Sequence, residues 1–78
     1  MSEELILIIL SDRLKELRAE KKLTQQNTAD YLGIHLRTYQ YYEGKDDKSH
    51  RPDLETLVAL ADLFEVSVDY LIGRTDAR

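Results

Sequence analysis

No cysteine occurs in the 78 residues, which excludes a disulfide framework and a thiolate metal site and makes a reducing cytoplasm the default compartment. The two histidines are isolated and form no metal cluster. A single proline and three glycines argue against a linker-rich or disordered chain and favour helices over strands. Long apolar runs are missing too. The only candidate, LILIIL from Leu5 to Leu10, is far short of the roughly 20 residues of a membrane span and of the ~7–15 of a signal-peptide core. Glu3 and Glu4 precede it, which also argues against a signal peptide. No nucleophile–base constellation, pocketed carboxylate pair or glycine-rich phosphate cradle is present, so an enzyme is not expected, and no cofactor is implied.

Positive charge is scarce overall. The chain carries a net −4 with a pI near 5.0, which does not advertise a polyanionic partner. Its distribution is uneven. Arg13, Lys15, Arg18, Lys21 and Lys22 outnumber Asp12, Glu16 and Glu20. The stretch from 34 to 51 is slightly basic, and the acid is concentrated beyond residue 52.

What is present is an ordinary soluble balance, 42% apolar and 33% charged, in a length that permits one small domain. Its centre is Gln25 to Glu43, QQNTADYLGIHLRTYQYYE. Thr24 is a helix cap for Gln25 to Leu32, Gly33 supplies the left-handed residue that closes that helix, and Ile34 turns inward. A second helix is expected over His35 to Glu43. His35, Thr38, Tyr39 and Tyr42 share its inner side, and Leu36, Arg37, Gln40 and Tyr41 share the outer one. Ala29 is the small residue that a steep helix crossing needs.

On either side the pattern is helical. Ser11 or Asp12 is expected to cap a helix running to about Lys21, with Leu14, Leu17 and Leu10 inward and Leu23 closing that side. Asp53 caps a helix to about Glu65 whose apolar face, Leu54, Leu57, Val58, Leu60, Ala61, Leu63 and Phe64, reads as core. Ser67 caps a last short helix, Val68 to Ile72, ended by Gly73. LILIIL is apolar on every face and leaves two readings open. It is either an extension of the first helix over the domain's own core, or a dimer arm, Leu5, Ile6, Leu7, Ile8, Ile9 and Leu10, pairing with its copy in a second subunit. The expected organisation is an apolar arm or helix extension at 1–10, a domain at 11–73 and a tail at 74–78.

Four blocks in order, RLKELRAEKKLTQ (Arg13 to Gln25), ADYLGI (Ala29 to Ile34), YYEGK (Tyr41 to Lys45) and DLETLVALADLFEVSVDYLIGR (Asp53 to Arg74), resemble the helix-turn-helix of the phage repressor and Cro family, also called Xre-type regulators. The resemblance implies an all-α, five-helix, lambda-repressor-like DNA-binding domain. It implies a partly buried ion pair between Arg18 and Glu43 that sets the angle of the recognition helix. It also implies that Gln25 bonds a phosphate and that main-chain and basic groups after that helix hold the DNA backbone, a role open to Lys45, Lys48, His50 and Arg51. The alternative for those loop residues is simple solvation, because Asp46 and Asp47 oppose phosphate. Three departures stand out: Thr28 where a larger aliphatic is usual, Tyr39 in place of Ile or Val, and His35 in place of a Ser or Thr cap.

The outward stripe has the chemistry of base readout. Arg37 suits guanine, Gln40 suits the N6 and N7 of adenine, and Leu36 and Tyr41 offer apolar contact to thymine methyls. The expected function is a sequence-specific transcription regulator, a repressor of a double-stranded operator, working as a homodimer with neither membrane nor small-molecule effector. The alternative is a protein-interaction module, an antitoxin or adaptor, that keeps the fold without binding DNA.

Overall fold

The computed structural model describes residues 1–44 and 51–78. Among them five helices and no strand occur, in the order α1 (Glu3–Glu20), α2 (Gln25–Leu32), α3 (Leu36–Glu43), α4 (Leu54–Phe64) and α5 (Val68–Leu71). The fold is all-α and lambda-repressor-like.

Helix α1 begins at Ser2, whose hydroxyl accepts from the Leu5 amide at 3.1 Å, and Glu3 and Glu4 lie at the positive end of its dipole. LILIIL therefore forms the opening turns of α1. The boundary expected at Ser11 or Asp12 does not exist. Ser11 is a buried mid-helix residue whose Oγ donates to the carbonyls of Tyr42 at 2.8 Å and Gly44 at 3.1 Å. Those carbonyls belong to the end of α3, where no further helical N–H is available to them. Leu10, Leu14 and Leu17, spaced i, i+4 and i+7, face the core. Leu10 is thus not free for a second subunit, while Ile6 to Ile9 are half-buried and Leu5 is exposed.

Thr24 closes a capping box on α2, accepting from the Asn27 amide at 2.9 Å while Asn27 Oδ1 accepts from the Thr24 amide at 3.1 Å. Gly33, at φ 69°, ends α2 in the left-handed conformation, and the Ile34 amide bonds back to Ala29 at 3.1 Å. Ala29 is wholly buried. Asp53 and Ser67 cap α4 and α5 through the Thr56 and Tyr70 amides.

The apolar arc of α4 is wider than the core it faces. Leu60, Ala61 and Phe64 are buried, but Leu54 and Val58, expected in the core, are exposed. Val58 lies a step of about 100° round from Leu57, and Leu54 sits in the first turn of the helix. Residues of the tail at 74–78 are tied to α1. The Arg13 guanidinium donates to the carbonyls of Tyr70 and Thr75 and pairs with Asp76 at 2.8 Å. Arg78 pairs with Glu20 and lies 5.5 Å from the centre of the Tyr70 ring.

Gly73 sits at φ +85°, and a Cβ there would meet Ile9 Cδ1 at 2.6 Å. Gly73→Ala is expected to cost about 1–3 kcal/mol through strain and overpacking. Urea denaturation reads this as a lower midpoint at unchanged slope; an unmoved midpoint contradicts the close packing of α1 on the end of α5.

Candidate nucleic-acid interface

Helix α3 starts at Leu36, not His35. His35 is the cap residue, extended at φ −66° and ψ 146°, and makes no side-chain cap bond. Because it lies outside the helix, it does not share the helical phase that placed it inward, and it is exposed. Thr38 is half-buried, and Tyr39 and Tyr42 enter the core with their rings edge-on, 6.3 Å apart at 82°. On the opposite side Arg37 and Gln40 are exposed, and Leu36 and Tyr41 are half-buried. The Arg37 guanidinium lies 5.9 Å from the centre of the Tyr41 ring. The four residues of the expected stripe thus share one side of α3, two of them exposed and two half-buried.

At the end of α3 the Glu43 carboxylate is only 4% exposed. Arg18 Nε donates to its Oε2 at 2.7 Å and Arg18 Nη2 to its Oε1 at 3.1 Å. Gln25 Nε2 donates to Oε1 at 3.1 Å, and the Tyr39 hydroxyl donates to Oε2. Arg18 Nη1 also donates to the Leu23 carbonyl at 3.0 Å. A carboxylate can only accept and a guanidinium can only donate, so the orientation of the Gln25 amide follows: its nitrogen points to Glu43 and its oxygen away. That oxygen accepts from Gln40 Nε2 at 3.3 Å, which leaves Gln40 with one N–H and its carbonyl oxygen for a base edge.

The charges respond accordingly. Burial pushes the Glu43 carboxyl up, but donation from Arg18, Tyr39 and Gln25 outweighs it, and the group is held below the ordinary carboxylate range. The bond to Glu43 raises Arg18 in turn. Burial first, and the neighbouring carboxylate second, push the Tyr39 phenol far up, so it stays a neutral donor.

Gln25 is half-buried at the start of α2, and its second amide hydrogen meets no acceptor among the described residues. Arg51 is exposed and pairs with Glu3 at the start of α1. Lys45, Lys48 and His50 lie outside the described residues. Two contributors escaped sequence reasoning. Ser11 falls at the core phase between Leu7 and Leu14, a polar residue at an apolar position, and Tyr39 stands four residues before Glu43, the spacing at which two helical side chains meet. Among the described residues no group of three His, Asp or Glu side chains could hold a metal, and no helix is long and apolar enough to cross a membrane.

A short helix, a glycine-closed turn and a second helix carrying an outward polar and aromatic stripe define a helix-turn-helix unit. The chain belongs to the family described as helix-turn-helix, whose model matches residues 14–71. It is 51% identical over 63 residues to the HTH-type transcriptional regulator AnsR of Bacillus subtilis, covering 81% of this chain and 52% of that protein. It is 38% identical over 65 residues to the cryptic phage CTXphi transcriptional repressor RstR of Vibrio cholerae, covering 83% and 55%. Against the HTH-type transcriptional regulator ImmR of Bacillus subtilis it is 39% identical over 67 residues, covering 86% and 50%. The chain spans about half the length of these curated relatives. No solved structure gives a significant match.

Tyr39→Phe keeps the ring and removes one bond to a charged acceptor, and is expected to cost about 1.5–3 kcal/mol of stability in urea denaturation. A loss under a few tenths would show that the phenol holds nothing. A carboxyl depressed in the folded state stabilises fully above its unfolded pKa of about 4.3, and that contribution is lost as pH falls through the lower folded value. Glu43→Gln should therefore be less stable than the parent near neutrality, with the gap closing in acid. A gap independent of pH would contradict the assignment.

Proposed function

We propose that the chain is a sequence-specific regulator of transcription that lays α3 in the major groove of double-stranded DNA and represses by occluding a promoter. The observation that carries this reading is the stripe of Leu36, Arg37, Gln40 and Tyr41, with Arg37 and Gln40 exposed, on a helix braced at its end by the Glu43 network. An α-helix fits the major groove, where each base pair shows a distinct set of donors, acceptors and methyl groups. Arg37 bonds the two acceptors of guanine, Gln40 bridges adenine N6 and N7, and Leu36 and Tyr41 contact thymine methyls. Similarity to AnsR, RstR and ImmR, regulators or repressors of transcription by name, supports the reading.

Phosphate contacts are assigned to Gln25, Lys45, Lys48, His50 and Arg51. For Arg51 the phosphate replaces Glu3 as partner. The domain acts in the cytoplasm as a homodimer on paired half-sites, carries out no catalysis and needs no effector. The acidic balance is compatible with this, because the acid is concentrated beyond residue 52 and the stripe itself bears a cation.

Selection of bound duplexes from a random pool tests the reading. Affinity for the selected duplex falls as salt rises, with a slope reporting several displaced counterions. Arg37→Ala relaxes preference at one base position at a cost of about 1–3 kcal/mol, whereas Lys45→Ala weakens all sequences alike and lowers the salt slope by about 1. No duplex binding even in dilute buffer refutes the proposal and favours a protein-interaction module; an equal loss for every duplex with Arg37→Ala refutes its role in reading.

A further inference from the structure

The four residues of the α3 stripe do not stand singly. At about 100° per residue, Tyr41 is about 40° round from Arg37 and Gln40 about 40° round from Leu36, whereas Leu36 and Tyr41 are about 140° apart at the two edges. Arg37 is exposed and Tyr41 half-buried. The Arg37 guanidinium lies over the Tyr41 ring, 5.9 Å from its centre, within the distance at which a cation is drawn to an aromatic face.

We infer that Arg37 and Tyr41 together read a two-base-pair step, a guanine beside a pyrimidine that carries a 5-methyl group, so that 5-methylcytosine serves there in place of thymine. This rests on the proposed reading of DNA by α3. A guanidinium that bonds both O6 and N7 of a guanine is held close to the plane of that base, since its forked donors and the two acceptors share a plane. Residues 37 and 41 are about 6 Å apart along α3 at a rise of about 1.5 Å per residue. Successive base pairs are stacked about 3.4 Å apart. A ring centred 5.9 Å from the guanidinium is therefore displaced by more than one step and less than two, and meets the base pair beside the guanine's own.

The major-groove edge of that neighbouring pair offers a ring one apolar group, the methyl at C5 of thymine. Cytosine lacks it. 5-Methylcytosine carries the methyl on the same carbon and keeps the hydrogen-bonding edge of cytosine, so the modification supplies the contact and alters no other. The residue type at 41 suits both tasks. An aliphatic side chain would pack on a methyl but would not attract the cation. Leu36, on the opposite edge of the stripe, is too far round the helix to serve the same methyl.

Fluorescence anisotropy of the full 78-residue chain on variants of the selected duplex, at fixed salt, tests the inference. The guanine is located as the position whose preference Arg37→Ala relaxes. In each adjoining pair thymine is exchanged for uracil, or cytosine for 5-methylcytosine, which changes one methyl and no hydrogen bond. At one of the two neighbours the parent is expected to bind the methylated member about fourfold more tightly, the value of burying one such group. Tyr41→Ala brings that ratio to about one, and Leu36→Ala leaves it. Should Tyr41→Ala lose helical content, an exchange of every thymine in the site decides with the parent alone, a loss beside that guanine being the expected result. Parent ratios of about one at both neighbours, or a ratio kept by folded Tyr41→Ala, overturn the inference while sequence-specific binding leaves the DNA reading standing. Absence of binding to any duplex refutes the DNA reading, and this inference with it.

Discussion

One buried carboxylate holds three helices in register. Glu43 closes α3, and its two oxygens accept from Arg18 of α1, Gln25 of α2 and Tyr39 of α3 itself. A charge nearly out of water is strongly unfavourable unless it is matched and its lone pairs are filled, and those donors converge only when the helices are correctly placed. The network therefore acts less as a source of net stability than as a penalty on every other angle of α3. Ser11 adds to it from α1 by donating to the carbonyls of Tyr42 and Gly44 at the end of α3. These side chains fix the helix that presents the outward stripe, in a chain too short to rely on a large core.

That bracing bears on readout. Side chains that read base edges must be held in place before contact, or ordering them offsets the hydrogen bonds they make. The Gln25 amide carries the order outward: its nitrogen is committed to Glu43, its oxygen receives Gln40, and Gln40 keeps a donor and an acceptor on its free side. Arg37 has a looser constraint, its guanidinium 5.9 Å from the centre of the Tyr41 ring. In the proposed complex Gln40 is thus more tightly oriented than Arg37.

Helix boundaries set by local chemistry were legible in the sequence. Thr24, Gly33, Asp53 and Ser67 act within three or four residues of themselves, and each does what its residue type predicts. The pair of Arg18 and Glu43 was legible only through family resemblance, since nothing within a sequence joins residues 25 positions apart. Features that depend on which side of an element meets the core were less accessible. Leu54 and Val58 continue the apolar pattern of α4 but lie beyond the surface that the other helices cover. His35 fell out of phase by standing one position before its helix. Ser11 resembled a cap because a polar residue after an aliphatic run often is one, whereas here the helix continues through it and its hydroxyl serves α3. Tyr39 departs from the aliphatic residue usual at its position, and the reason, a phenol within reach of Glu43, required the packed structure.

The central claim is that the braced outer side of α3 is the surface that meets DNA. Its most direct test is a nuclear magnetic resonance titration of the isotopically labelled chain with a selected duplex, following backbone and side-chain amide and guanidinium signals. Perturbations concentrated on Leu36, Arg37, Gln40 and Tyr41, with Gln25 beside them and the signals around Glu43 otherwise preserved, are the predicted result. Perturbations gathered on other helices while residues 36–41 stay unmoved would contradict it.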